Sequence, residues 1–223
     1  LMRPLFSTLA VKNYTETSSL SVLKSQYLIL NKLTLLFCVP IFGILVLHAD
    51  YLVTNLYGET YRTILPLINV GVIFFVFREL ISAVNPVLNA LEKNKLFLFS
   101  GIFSIYNLIG NIFLIPVWGE FGALVSTGTA GIFLLIFYFI NLRKIFIDLS
   151  FPWGSLMKLI CFLLPVFLMH LTLFSTVESF FGFLFVLFAE IIAFILVLTI
   201  FKYFNKDERA LVNSYMGRDF VWF

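Results

Sequence analysis

The stretch from residue 179 to residue 201 is apolar from end to end except for one ionisable side chain, Glu190. A helix needs about 20 mostly apolar residues to cross the ~30 Å hydrocarbon core of a bilayer at 1.5 Å per residue. A helix apolar on every face is buried in a large core or spans a membrane, and a chain of this length has no large core to offer. Five runs of the same kind precede it: 33–49, continuing to about residue 57; 64–91, interrupted only by the adjacent pair Arg78 and Glu79; 96–119; 121–142; and 159–177. The short turn Pro116-Val117-Trp118-Gly119-Glu120 splits the third run from the fourth. The chain is therefore expected to be an all-α integral membrane protein with six transmembrane helices in contact with the lipid bilayer.

Composition agrees with that class and removes several functions. Apolar residues make up 61% of the 223 and charged residues 12%, with a mean hydropathy of +1.03; an average soluble domain has roughly 45–50% and about 25%. The Lys and Arg are spread over short connections instead of gathered on one face, so the net charge of +3 points to no nucleic acid. Cys38 and Cys161 both lie inside apolar runs and read as small buried hydrophobes. There is no glycine-rich phosphate loop, no His-Glu-x-x-His and no nucleophile elbow, so no catalytic residue, metal or cofactor is expected and the chain reads as a non-enzyme. His48 and Asp50, at the outer end of the first run, point in different directions on a helix, and His170 lies near the outer end of the fifth. Both histidines are expected to be interfacial and without partners, and Asp50 to be solvated at the membrane edge. The opening Leu1-Met2-Arg3-Pro4 lacks the parts of a signal peptide, and a start at leucine suggests a fragment of a longer protein.

Positive charge sets the direction. With six spans the connections alternate between sides. One side receives Arg3, Lys12, Lys24, Lys32, Lys93, Lys95, Arg143, Lys144, Lys158, Lys202, Lys206, Arg209 and Arg218, the other Arg62 alone, while Arg78 lies within a span. Lys and Arg in short loops favour the cytoplasm, so both termini are expected there, in a multi-pass protein of the cell membrane. Residues 1–32 then form a cytoplasmic segment, in which Leu20, Leu23, Tyr27 and Leu30 mark an interfacial helix over 17–30. Residues 33–142 hold four spans, 143–204 two more, and 205–223 a cytoplasmic tail whose Tyr215, Phe220, Trp222 and Phe223 suit a headgroup-level anchor.

The charges at bilayer depth are the candidate functional residues, because each costs at least about 2.5–3.5 kcal/mol to place there. Arg78 and Glu79 stand about 21 Å along the second run from Ile64, and adjacent helical residues point about 100° apart. Each is expected to face a cavity or a partner on another helix. A structural salt bridge is one reading of the pair, and an arginine contact to an anionic substrate is the other. Asn85 and Asn89 flank Pro86, whose ring frees a backbone carbonyl, and interrupted helices of this kind line transporter cavities. Glu190 has nothing basic near it in sequence; it reads as a hydrogen-bonded neutral acid or as a coupling-ion site. Small residues recur every four positions at Gly122, Ser126 and Ala130 and at Ala123, Thr127 and Gly131, which permits close helix packing.

The segment Asn107-Leu-Ile-Gly-Asn111-Ile-Phe-Leu-Ile-Pro116-Val-Trp-Gly119-Glu-Phe-Gly122-Ala123 resembles a signature of Wzx-type polysaccharide flippases. That family shares a superfamily with multidrug and toxin extrusion transporters and the lipid II flippase. Leu56-Tyr57-Gly58 with Tyr61, and Pro4-Leu5-Phe6-Ser7 with Lys32 and Pro40, resemble further family segments in the same order. The matches cover residues 1–135; beyond them only hydropathy and topology agree. The resemblance implies a two-lobe flippase fold of about twelve to fourteen spans, with this chain as the C-terminal half and an N-terminal lobe missing. It implies that the second span lines a central cavity. It also implies transport of a polyprenyl-diphosphate-linked oligosaccharide to the outer leaflet for surface polysaccharide such as lipopolysaccharide O-antigen.

Three other readings are weighed. A cation-coupled multidrug exporter would lean on acidic residues at depth, a membrane-embedded glycosyl- or acyltransferase on a polar cluster at one membrane face, and an accessory subunit would be complete with six spans. The topology can be checked directly. Alkaline phosphatase fused after Arg62 is expected to be active in intact cells, and fusions after Lys95 or Lys144 inactive; the reverse pattern would invert the orientation.

Overall fold

A computed structural model describes residues 11–12, 14–16, 18–146, 148–173 and 179–216, the last three without their side chains. Among the described residues no strand occurs. Helix α1 is Leu20–Tyr57, and a 3-10 helix, Glu59–Ile64, leads into α2, Leu65–Ser82. Then follow α3 (Val84–Ala90), α4 (Asn94–Ile145), α5 (Trp153–Leu173), α6 (Phe180–Phe201) and α7 (Lys206–Met216). Among the described residues, five helices are long and apolar enough to cross a membrane: α1, the stretch Glu59–Ala90, α4, α5 and α6. With no water to bond backbone amides in a hydrocarbon layer, helices that close their own hydrogen bonds are what such sequences form.

The longest helix is two limbs. Gly119 has φ 56° and ψ −135°, a conformation from which a Cβ is sterically barred, and it breaks α4 where the sequence places a turn. The limbs run antiparallel. Phe97 meets Tyr138, Phe103 meets Phe137, Tyr106 meets Phe133, and the Ser126 hydroxyl donates to both oxygens of Asn107, at 2.9 and 3.0 Å. Close approach needs the small residues: a Cβ on Gly122 would strike the Leu114 carbonyl, and one on Gly110 the Ser126 hydroxyl.

The second apolar run is also divided. α2 ends at Ser82 and α3 resumes at Val84. Pro86 lacks the N–H that would bond the Ser82 carbonyl four residues back, so the ladder opens at that point. At the start of α1 there is no such break. It is one continuous helix of 38 residues, about 57 Å long, so the expected interfacial helix and the first span are a single rod. Leu23, Tyr27 and Leu30 are buried on it, while Leu20 is exposed.

The chain forms two compact units. One comprises the described residues to Thr34 together with Ala49–Pro152; the other comprises Leu35–His48 together with the described residues from Trp153 onward. In the first, α2 packs on the α4 hairpin, where Gly128 lies directly against the Phe74 ring and Leu124 fills the space above Gly71. In the second, α5 and α6 pack with the middle of α1. A Cβ added to Gly43 would lie 2.7 Å from Leu163. After α6, Lys202 takes a left-handed conformation that turns the chain so that Tyr203 and Phe204 are buried. Burial pushes the Tyr203 phenol well up, against a hydrogen bond with Ser155 that acts the other way.

A reciprocal cap starts α7: the Asn205 side chain accepts from the Glu208 amide, and Glu208 accepts from the Asn205 amide. Of the proposed tail anchors, the Tyr215 side chain and residues Phe220, Trp222 and Phe223 lie outside the described residues, as do the family-like residues 4–7.

Gly122→Ala is expected to force the α4 limbs apart and destabilise the detergent-solubilised protein by about 1–3 kcal/mol. Gly131→Ala meets nothing within 4 Å and should leave the unfolding temperature unchanged or slightly raised. Equal effects of the two substitutions in a thermal melt would refute this packing.

Candidate functional site

Two polar constellations stand out against the apolar helices, one in each unit. In the first unit a cleft of about 410 Å³ has three walls. α2 and α3 contribute Arg78, Glu79, Ser82 and Asn85; the first limb of α4 contributes Ser100, Ser104 and Asn107; the second limb contributes Thr127 and Gly131. The sequence pattern explains this convergence. Gly122, Ser126 and Ala130 are buried on one face of the second limb, which turns the neighbouring face, with Thr127 and Gly131, toward the cleft. Asn107 is tied in place by Ser126 and by Thr127, whose hydroxyl donates to its side-chain oxygen at 3.2 Å. The Arg78 guanidinium lies 5.9 Å from the centre of the Phe75 ring, a spacing suited to a cation–π contact.

Three of the four cavity candidates read from sequence are thus brought together: Arg78, Glu79 and Asn85 line the cleft. Asn89, one turn further on, is exposed and stands outside its lining. Although adjacent helical residues diverge, the cleft is wide enough for Arg78 and Glu79 to face it together. Asn107 enters the sequence reading only as the start of the family-like segment and Thr127 only as a small packing residue, while Ser100 and Ser104 have no place in it. The signal that marks the cleft face of the first limb is a row of polar residues at positions 100, 104 and 107 in an otherwise apolar run.

The second unit contains the larger departure. Glu190 is fully buried on α6 and is held by both histidines of the chain. His48 Nε2 lies 2.7 Å from Glu190 Oε2, and His170 Nδ1 lies 2.9 Å from Glu190 Oε1. The expectation that these histidines are interfacial and unpartnered is overturned: they sit on α1 and α5 facing α6, and His48 is as buried as the acid. The reason is the cost of a carboxylate in apolar surroundings, which only hydrogen-bonding or charged partners offset. With each imidazole protonated on the nitrogen that faces it, Glu190 accepts one hydrogen bond on each oxygen. The His48 ring meets the His170 ring edge-on at 4.7 Å, and the Phe183 ring, at 5.1 Å from His48, closes the cluster on one side. The three donor groups lie within 4.8 Å of one another, close enough for a metal ion.

Asp50 is not merely solvated. It accepts from Arg62 at 2.6 Å, with Glu59 at 3.5 Å from the same guanidinium, in a half-exposed group beyond the end of α1's apolar stretch. Exposed pairs of this kind contribute little to stability. The second unit also carries an apolar groove of about 570 Å³ between α1 and α6, lined by residues such as Phe37, Ile41 and Ile191.

Comparison with protein-family models, with curated proteins and with solved structures finds no match for this chain.

Removing the acid alone takes the carboxylate away from two buried imidazoles. Glu190→Ala is expected to destabilise the solubilised protein by about 3 kcal/mol. Glu190→Gln, which keeps the shape and both hydrogen bonds after one imidazole changes tautomer, should cost less than half of that. Thermal or denaturant unfolding of the two variants side by side checks the order; a Gln variant as unstable as the Ala variant would contradict it.

Proposed function

We propose that this chain is the second lobe of a flippase that moves a lipid-linked oligosaccharide from the cytoplasmic to the outer leaflet of the cell membrane. The observation that carries this reading is the cleft of the first unit, where Arg78, Glu79, Asn85 and Asn107 gather with hydroxyl groups between apolar helices. Guanidinium forms paired, charge-assisted hydrogen bonds with phosphate oxygens, which suits a diphosphate. Amides and hydroxyls suit sugar hydroxyls. The volume lies within the ~300–1,000 Å³ of small-ligand sites and suits a diphosphate with the part of the glycan next to it, while the apolar tail stays in lipid.

The resemblance of residues 107–123 to the Wzx-type signature supplies the substrate class, and Asn107 of that segment lines the cleft. In this reading the α4 limbs are separate spans, giving six in all, both termini are cytoplasmic, and an N-terminal lobe completes the transporter. Translocation proceeds by alternating access of the two lobes around the bound headgroup. Arg78 neutralises the diphosphate at a depth where an unpaired anion is costly. The second reading, a cation-coupled multidrug exporter, draws on the buried acid Glu190.

Complementation separates the two. The intact gene, expressed in a flippase-null strain, is expected to restore surface glycan. Arg78→Ala at matched membrane abundance should lower the restored glycan about tenfold, the loss of one charge-assisted phosphate contact. Wild type that restores nothing in several glycan backgrounds, while conferring drug resistance, would favour the exporter.

A further inference from the structure

We infer that His48, His170 and Glu190 form a site for a divalent transition-metal ion of the zinc class. This inference is independent of the transport reading. Three helices of the second unit each contribute one ligand, and the ligand atoms converge within 4.8 Å although His48 and Glu190 lie 142 residues apart in the chain. Two imidazoles and a carboxylate are a donor set that zinc takes at about 2.0–2.2 Å. Calcium and magnesium demand six or more oxygen ligands, which the buried group does not offer.

The hydrogen-bonded geometry is close to the liganded one. Tetrahedral ligands about 2.05 Å from an ion are ~3.3 Å apart. The 2.7 and 2.9 Å contacts run to different carboxylate oxygens, and the ligand atoms lie up to 4.8 Å apart; opening those contacts by about half an ångström and drawing the outermost ligand atoms in by about 1.5 Å, through small χ changes, makes room for the ion. The chemistry balances without any oxidant or leaving group. Each neutral imidazole moves its proton to the ring nitrogen facing away, Nδ1 in His48 and Nε2 in His170, and presents a lone pair to the metal. Any further proton shared by the cluster is released to solvent. Three protein ligands leave a fourth position for water, hydroxide or the second carboxylate oxygen. The Phe183 ring against His48 supplies the apolar surround that keeps competing water out. Bound there, the ion ties α1, α5 and α6 together through bonds much stronger than the hydrogen bonds it replaces.

The test uses the full chain, purified in detergent without a polyhistidine tag, stripped with a chelator and returned to buffered zinc. Elemental analysis should find about one zinc per chain, and the unfolding temperature should rise with zinc concentration. Cobalt in place of zinc should give the intense visible bands of a four-coordinate site. The double variant His48→Gln/His170→Gln should lose zinc affinity at least about 100-fold. Wild type that is helical and monodisperse yet retains no metal, with no shift in its melt, would overturn the site and leave a proton-sharing triad. Undiminished zinc in the double variant would also overturn it. Should that variant fail to fold, the cobalt spectrum of wild type decides, and only weak six-coordinate bands would count against the site.

Discussion

A hydrocarbon layer offers no hydrogen bonds, so every polar group placed at its depth must find a partner in the protein or in an aqueous pocket the protein encloses. This constraint shapes the structure at each level. It makes the backbone helical, puts the sharp reversal of α4 at a glycine near the end of an apolar run, and places the opening between α2 and α3 at the carbonyl that Pro86 cannot bond. It also brings polar side chains from separate helices together in two places.

The two constellations satisfy the constraint in opposite ways. Glu190 is closed: it is fully buried, its two oxygens take two imidazoles, and the Phe183 ring packs against His48. A closed group contributes cohesion, and its geometry is the one a metal ion would exploit. The cleft around Arg78 is open, and its amides and hydroxyls line a volume instead of consuming one another. An open group is a poor device for stability and a good one for binding.

The helices were largely legible because span length is a one-dimensional signal. The limits of the second and sixth runs fall about a residue from helix ends, and Gly119 stands where the turn was expected. What hydropathy could not show was continuity: Ser19 to Leu33 contains no breaker, so α1 simply runs on from polar into apolar sequence. The cleft was half legible. Arg78, Glu79 and Asn85 are conspicuous in an apolar run, whereas serines at helical spacing look like packing residues until a second helix faces them. The histidines were misread because imidazoles at span ends are common at interfaces, and sequence distance hides a pairing over 142 residues. A physical rule would have found it: a lone buried acid requires a partner, and the apolar runs that do not contain it hold two histidines.

The central claim is that the cleft is an aqueous pocket at bilayer depth, and cysteine accessibility tests it most directly. With Cys38 and Cys161 replaced by alanine, single cysteines at Ser104 and Asn107 face the cleft, while Ile105 and Leu108 on the same limb face outward. A small, water-soluble, charged thiol reagent applied to membranes should label the Ser104 and Asn107 positions and leave the Ile105 and Leu108 positions unmodified. Labelling of all four, or of the outward pair alone, would mean that this face of the α4 hairpin does not enclose a polar pocket within the bilayer.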